Sequence, residues 1–510
     1  MEKTNKTSSA GWTVLILVSL FSFIIALDST FMNVAITNLV VDLNTTVSII
    51  QIIISVYALT MASLMLLGGK MQDVWGRKRA FLVGAAIYGV GTTIAALSIN
   101  SAMLLLGWSI LEGIGAALMT PATASIITGT YQGKDRAFAI GIWTAIAGIA
   151  AAIGPILGGF LTTFYTWRWG FALELIIVIL ILALSRKISY FPPSMKKSEI
   201  DKIGVILSSS GILFLVLGVL ILNGIVYWKL APFIMGVGVV LLVLFYFREK
   251  KIISRNEKPL TDIRLFKNRN FTLGNLSRLI MQLALAGAVF VIPVFLQIVT
   301  GANAFITGLA LLPLTVGLLI FSIASSRLST RIAPQYLISI GFLVAMAGSI
   351  LLRFKFNLDT QITDLIPGTT LLGVGLGLAL PVTGNLVLSS AGQDKQSDAS
   401  GIISTGANLG SSIGTALIGV VFLLGTFSGL AVAVQENYPG VTTEEIHQNL
   451  VGWVDKMQTT DLKGLNPTST TFKIVNSTLA NAMKTAFDTV SLIFFIGFLT
   501  SLFIRPSKQK

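Results

Sequence analysis

The sequence predicts an all-α integral membrane protein of about fourteen transmembrane helices, in two six-helix bundles with a helix pair inserted between them. Three observations carry this. Of the 510 residues, 54% are hydrophobic and only 11% charged, against about 25% charged in soluble domains, and the mean hydropathy is +0.83. The apolar residues fall in runs of about twenty, the length a helix needs to cross hydrocarbon. The basic residues are confined to the short segments between those runs.

Taken in order, the predicted spans are 12–40, 47–69, 79–99, 102–129, 137–162, 168–186, 204–223, 230–247, 271–298, 304–326, 335–352, 365–390, 398–426 and 485–504. The last can begin earlier, because Thr478 to Phe487 is polar but compatible with a helix. Placing the N-terminus inside puts 27 of the 36 Lys and Arg on the cytoplasmic side, whereas the reverse topology inverts the positive-inside rule. Both termini are then cytoplasmic and the chain is multi-pass in the cell membrane, of prokaryotic type. The first apolar run is long enough to span and lacks a small-x-small cleavage site, so no cleavable signal is expected.

The chain divides into residues 1–186, a first six-helix bundle; 187–270, the inserted pair with its basic loops; and 271–510, a second bundle. Neither inserted span contains an acid. Gly69-x-x-x-Asp73-x-x-Gly76-Arg77 after the second span is faintly echoed by Ser326-Arg327-x-x-x-Arg331, as duplication would leave. An extracellular loop is expected over 427–484, in which Thr443 to Met457 reads as an amphipathic helix with an acidic first turn. It is read as a folded external loop, with a lid over the substrate path as the alternative.

Composition excludes several classes. With no Cys and a single His, His447, there is no thiolate metal site, no His cluster and no His-centred triad, so no metal and no enzyme activity are expected. A net charge of +14 distributed by topology does not indicate nucleic acid. No Gly-x-x-x-x-Gly-Lys-Ser/Thr is present, and Gly373-x-Gly375-x-Gly377 lies inside an apolar span where it serves helix packing. No cofactor is expected, and energy must come from an ion gradient.

The chemistry lies in the few polar groups inside the spans. Asp28 sits midway along the first, where an ionised Asp costs roughly 2.5–3.5 kcal/mol, so it is the first candidate for proton or cation exchange. Glu112, mid-span in the fourth, and Glu174, placed nearer the outer interface at the start of the sixth, are the others, each with a structural hydrogen-bonding role as the alternative. Arg278 in the ninth span either pairs with an acid across the halves or snorkels. Asn33, Gln282, Gln297, Asn385 and Asn408 are candidates for neutral cavity contacts, with a helix–helix hydrogen bond as the favoured alternative for each taken singly. Gly69, Asp73, Gly76 and Arg77 form a candidate conformational latch, with a purely topogenic loop as the alternative. Gly148, Gly154, Pro155, Gly158 and Gly159 in the fifth span combine a kink with close helix approach.

Here the sequence resembles the major facilitator superfamily, whose motif A has the form of the 69–79 loop. It resembles in particular the fourteen-span drug:proton antiporter family (the multidrug efflux type). Leu27-Asp28-x-Thr30-x-x-Asn33-Val34-Ala35 is similar to that family's first-helix signature. Gly148 with Gly154-Pro155-x-x-Gly158-Gly159 resembles its antiporter motif C, and Trp167-Arg168-Trp169-x-Phe171 and Pro293-x-x-Leu296-Gln297 also fit. Two departures stand out. Motif B carries Arg and then Gln in helix 4, where this chain has Ser109 and Glu112. After Phe171 the family has Asn and Pro, where this chain has Glu174 and no Pro. The resemblance implies alternating-access export of amphipathic compounds against protons, by a monomer in the bilayer. With no acid in the spans of the second half, monovalent or neutral lipophilic substrates are expected over dications. The competing readings are a proton symporter or facilitator for a metabolite or lipid, and a non-transporting sensor or scaffold.

Overall fold

In hydrocarbon every backbone polar group must be satisfied within the chain, which a helix does for itself. The computed structural model describes residues 9–193, 195–222, 228–329, 331–391, 395–437 and 469–505, and its long elements are helices. We number them α1 (Ser9–Val34), α2 (Val47–Trp75), α3 (Arg77–Ala96), α4 (Ser101–Thr130), α5 (Gly133–Phe164), α6 (Arg168–Ala183) and α7 (Lys202–Ile221). The series continues with α8 (Ala231–Ser254), α9 (Arg269–Val299), α10 (Ala304–Leu328), α11 (Pro334–Arg353), α12 (Ile362–Ser390), α13 (Gln396–Asn437) and α14 (Thr470–Ser501). Thirteen of these have the length and apolarity of a membrane span. The fourteenth, α6, has 16 residues.

Several boundaries differ from the expected spans. α13 runs on to Asn437 and α14 begins at Thr470, so both ends of the region expected as loop 427–484 are helical. The remainder of that region, with Thr443 to Met457 and His447, lies outside the described residues. α8 continues to Ser254 and so carries the buried Glu249 beyond the expected span 230–247, which itself holds no acid. Hydropathy detects only the part of a helix immersed in hydrocarbon, and the polar turns beyond it are invisible to that measure.

Side-chain caps set several helix starts: Thr46 for α2, Asn100 for α4, Asn268 for α9, Asn303 for α10 and Ser469 for α14 accept backbone N–H groups of their first turns. Between α2 and α3 the chain turns at Gly76 with φ +84°, a conformation that glycine takes without a Cβ penalty. Proline leaves a carbonyl unpaired one turn back. At Pro381 of α12 that carbonyl belongs to Gly377, and Ser325 Oγ of α10 donates to it at 3.0 Å.

Within the first six helices, α1 packs on α5, α4 on both α2 and α3, and α3 on α6. Among the last six, α10 and α11 pack on α12, α9 on α13, and α13 and α11 on α14. The two sets meet along α2–α13 and α5–α10. α7 and α8 pack on each other, and α7 also lies on α2, where Ser209 Oγ donates to Ser63 O at 2.7 Å. Ile212, Val216 and Leu220 of α7 share an apolar cluster with Leu59 and Ala62 of α2 and Ala416 of α13. The inserted pair therefore covers one of the two seams between the halves.

One end of the molecule gathers the basic segments. There Arg77 Nη1 donates to Ser125 O at 2.8 Å, Lys70 pairs with Asp398 at 3.4 Å, and Arg248 forks onto Asp201 at 2.9–3.1 Å. We call this the basic end and the opposite one the far end.

Candidate functional site

The buried acids of the first six helices converge. Asp28 of α1, Glu112 of α4 and Glu174 of α6 are each 0% exposed, and one carboxylate oxygen from each lies within 4.8 Å of the other two. Glu174 is thus at the depth of Asp28, not near the outer interface as its place early in helix 6 suggested. Sixteen residues make α6 short, and two turns from its start already reach the middle of the bundle.

A local irregularity brings Glu112 in. Within α4, Leu105–Glu112 is π-helical and ends on Glu112; such wide turns are uncommon and concentrate at functional sites. Here α3 comes close. A Cβ at Gly91 would meet Glu112 N at 2.7 Å and its Cγ at 2.9 Å, and one at Gly107 would meet Ala95 N at 2.6 Å. Ser109, where motif B has Arg, donates to Ile53 O of α2 at 2.7 Å, so a small neutral side chain ties α4 to α2.

Aromatic donors surround the triad. Trp108 Nε1 donates to Asp28 Oδ2 at 2.9 Å and Tyr88 Oη to Glu174 Oε2 at 3.0 Å. Tyr57 stacks on Trp108, with ring centroids 5.2 Å apart and planes at 16°. Asp28 Oδ1, Glu174 Oε1 and both oxygens of Glu112 remain buried without a hydrogen-bond partner, as do the Tyr57 and Thr92 hydroxyls. None of the three acids pairs with Lys or Arg among the described residues. Close carboxylates in a low-dielectric interior cannot all stay ionised without a proton or a cation. The sequence reading missed Trp108, Tyr57 and Tyr88; buried Trp and Tyr need partners for their N–H and O–H, and the buried acids were the signal available to find them.

The glycines of α5 meet both halves. A Cβ at Gly154 would overlap Thr30, and one at Gly158 would overlap Phe31, both in α1. A Cβ at Gly159 would overlap Ala304 O of α10, and one at Gly308 would overlap Pro155 O. Gly148 faces Leu319. Thr163 Oγ1 accepts from Phe305 N at 3.0 Å beside these contacts. α5 is thus clasped between α1 and α10 at near-backbone distance, on the far-end side of Pro155.

The other candidates fall in different places. Gln297 bridges the halves at the far end, where α1 breaks at Ala35 before the short helix Ile36–Asp42. Its Nε2 donates to Val34 O at 2.7 Å and its Oε1 accepts from Thr37 N at 3.0 Å, so its amide is spent on a clamp and not on a cavity. Asn33 Nδ2 donates to Ser29 O and Asn408 Nδ2 to Ser404 O, each within its own helix. Asn385 is exposed and Gln282 half-buried. Arg278 pairs with no acid among the described residues, and its Nη1 donates to Leu380 O of α12 at 3.0 Å. The candidate latch residues lie at the basic end. Arg77, besides Ser125, lies 5.3 Å from the Phe191 ring centroid, Gly76 abuts Phe191 O, and Asp73 O accepts from Met195 N at 3.0 Å. These contacts stay on the first half and the linker after it, while a Cβ at Gly69 would meet nothing within 4 Å. The cross-half ion pair of that loop is Lys70–Asp398. Trp167 Nε1 donates to Asp42 at 2.9 Å and Arg168 Nη2 to Ser98 O at 2.8 Å, closing the far end of the first bundle.

Comparison with known proteins agrees with this arrangement. The family model "Major Facilitator Superfamily" matches residues 18–228 and 190–415. The multidrug efflux pump LfrA of Mycolicibacterium smegmatis is 30% identical over 423 residues, covering 82% of each chain. The multidrug transporter protein MdtP of Bacillus subtilis is 25% identical over 532 residues, covering 100% of this chain and 95% of its own. Among solved structures, a peptide transporter POT in complex with sulfate superposes with a TM-score of 0.64 at 16% identity, covering 96% of this chain and 95% of its own. An inward-facing bacterial homologue of the lysosomal transporter Spinster gives 0.60 at 14% identity, over 98% and 100%. This chain is a multi-pass membrane transporter that belongs to the Major Facilitator Superfamily, among its drug-efflux members.

Proposed function

We propose that this protein is a proton-coupled antiporter that exports amphipathic compounds, cationic or neutral and lipophilic, by alternating access between its two helical bundles. One observation carries the reading: Asp28, inside the bundle, lies beside two further carboxyls with no basic residue among the described residues to neutralise any of them. A proton is the simplest occupant, and the energetic conflict between keeping it and accommodating a cationic substrate couples the two fluxes. The efflux role of the relatives supports the export direction, and the distribution of Lys and Arg supports a cell-membrane orientation with the basic end and both termini cytoplasmic. The far-end contacts of Gln297 and α5 then correspond to a closed outer gate. The protein acts as a monomer and needs no cofactor beyond the proton gradient.

The test is uptake of a fluorescent lipophilic cation into inverted vesicles under an imposed proton gradient. Asp28→Asn is expected to abolish gradient-driven uptake, lowering its rate at least tenfold, and to abolish proton release on substrate addition. Normal transport and proton release in Asp28→Asn overturn the coupling role. Proton movement in the same direction as substrate makes the protein a symporter.

A further inference from the structure

Three carboxyl groups are more than a single-proton switch requires. Asp28, Glu112 and Glu174 each bring an oxygen to within 4.8 Å of the others, so all three lie about 2.8 Å or less from a common centre, near the roughly 2.3–2.6 Å at which calcium-sized cations take oxygen ligands. The donors are already assigned: Trp108 occupies Oδ2 of Asp28 and Tyr88 occupies Oε2 of Glu174. That leaves Asp28 Oδ1, Glu174 Oε1 and both Glu112 oxygens, four acceptor atoms buried without a partner. Two neutral hydroxyls flank them from the remaining elements. Tyr57 of α2 is 5% exposed and stacks on the tryptophan that binds Asp28; Thr92 of α3 is 0% exposed and follows Gly91, which abuts Glu112. Both hydroxyls approach the carboxyls, Tyr57 toward Asp28 and Thr92 toward Glu112, without reaching full hydrogen-bond geometry.

We propose that Asp28, Glu112 and Glu174, with the Tyr57 and Thr92 hydroxyls, form a binding site for a hard cation of sodium or calcium size, which competes there with protons. An all-oxygen donor set with no sulfur or imidazole selects hard cations, and magnesium, which demands near-ideal octahedral geometry and gives up its waters reluctantly, suits a dry irregular pocket least. Among the described residues, Asp28, Glu112, Glu174, Tyr57 and Tyr88 are the titratable groups that face the site, and none of them pairs with a Lys or Arg. Protons and the bound ion are therefore alternatives at one site. The proposal rests on the triad being the coupling site of the exporter.

The experiment uses the full-length protein in detergent at pH 8, in choline chloride at constant ionic strength. Its thermal unfolding midpoint is followed while sodium, calcium or magnesium is added. A saturable rise of several degrees with sodium or calcium, and none with magnesium, is expected, and it should vanish in Glu112→Gln. In parallel, labelled sodium or calcium retained by the wild type is counted at pH 8 and again at pH 5. One ion per chain at pH 8, displaced by acid, supports the site and identifies its occupant even if Glu112→Gln fails to fold. No retention and no rise overturn the proposal, as does a rise that persists in Glu112→Gln. Gradient-driven drug uptake in choline medium without sodium or calcium is read separately. If it proceeds while the binding assays fail, the proton-coupled reading stands and the cation site alone falls.

Discussion

Asp262 and Asp28 are the same residue type with opposite surroundings. Asp262 lies in the segment between α8 and α9, is 3% exposed, and accepts from Arg264 at 2.8 and 2.9 Å and from Lys395 Nζ at 2.7 Å. Burial alone would push its carboxyl up, but hydrogen bonds from Arg264 and Lys395 outweigh it and hold the group well below the usual carboxylate range. Asp28 has an indole N–H and no cation. The sign for Asp262 follows from linkage: a depressed folded value gives stability that is present above the unfolded value of about 3.9 and is lost as pH falls through the range below it. Both cations are partly exposed, so the contribution is discounted to about 1–2 kcal/mol. Asp262→Asn is expected to lower the unfolding midpoint by a few degrees at pH 7, with the gap to wild type closing below about pH 4. An equal gap at pH 7 and pH 3 would remove charge from the explanation.

At the scale of elements, the glycine face of α5 is the sharpest device. Gly159 meets Ala304 O of α10 so closely that any Cβ must part the two helices. Gly159→Val is therefore expected to open the far end, slow transport at least tenfold and leave the fold intact. The chain has no cysteine, so Ala304→Cys, at a position 2% exposed, reports directly: maleimide labelling should rise several-fold in the Gly159→Val background, and unchanged labelling would show that the clasp does not gate. This element was legible in the sequence because glycine and proline act through backbone geometry, which spacing reveals. The number of helices was legible for a similar reason, since hydrocarbon fixes their length. The π-helical turn over Leu105–Glu112 has no compositional mark, so Glu112 could be named as a buried acid but not placed against Asp28 and Glu174. Gln297 was legible only as a choice between a cavity contact and a helix–helix hydrogen bond, and the break at Ala35 shows that it completes the backbone of another helix.

For the whole molecule, the balance between the two ends sets the conformation. At the far end Gln297 supplies two hydrogen bonds across the halves, Thr163 accepts from Phe305, and the α5 glycines sit against α10 backbone. Along the α2–α13 seam Gln51 Nε2 donates to Thr415 O at 2.8 Å and Ser412 Oγ to Ser55 O at 2.6 Å. At the basic end Lys70–Asp398, at 3.4 Å and partly exposed, joins the halves. Two states of a transporter differ by only a few kcal/mol, so individual bonds decide populations. Gln297→Ala leaves Val34 O and Thr37 N buried without partners only while the far end is closed, a cost of about 1–3 kcal/mol. That multiplies the share of the far-end-open state by roughly five to a hundred and fifty. Lys70→Ala removes a pair worth at most about 1 kcal/mol and should move the balance by less than roughly fivefold, in the opposite direction. Distances between spin labels at the far end of α1 and α10 measure both. A larger shift from Lys70→Ala than from Gln297→Ala would place the controlling gate at the basic end, and the strain that drives the transport cycle would then have to be sought in the loop between α2 and α3.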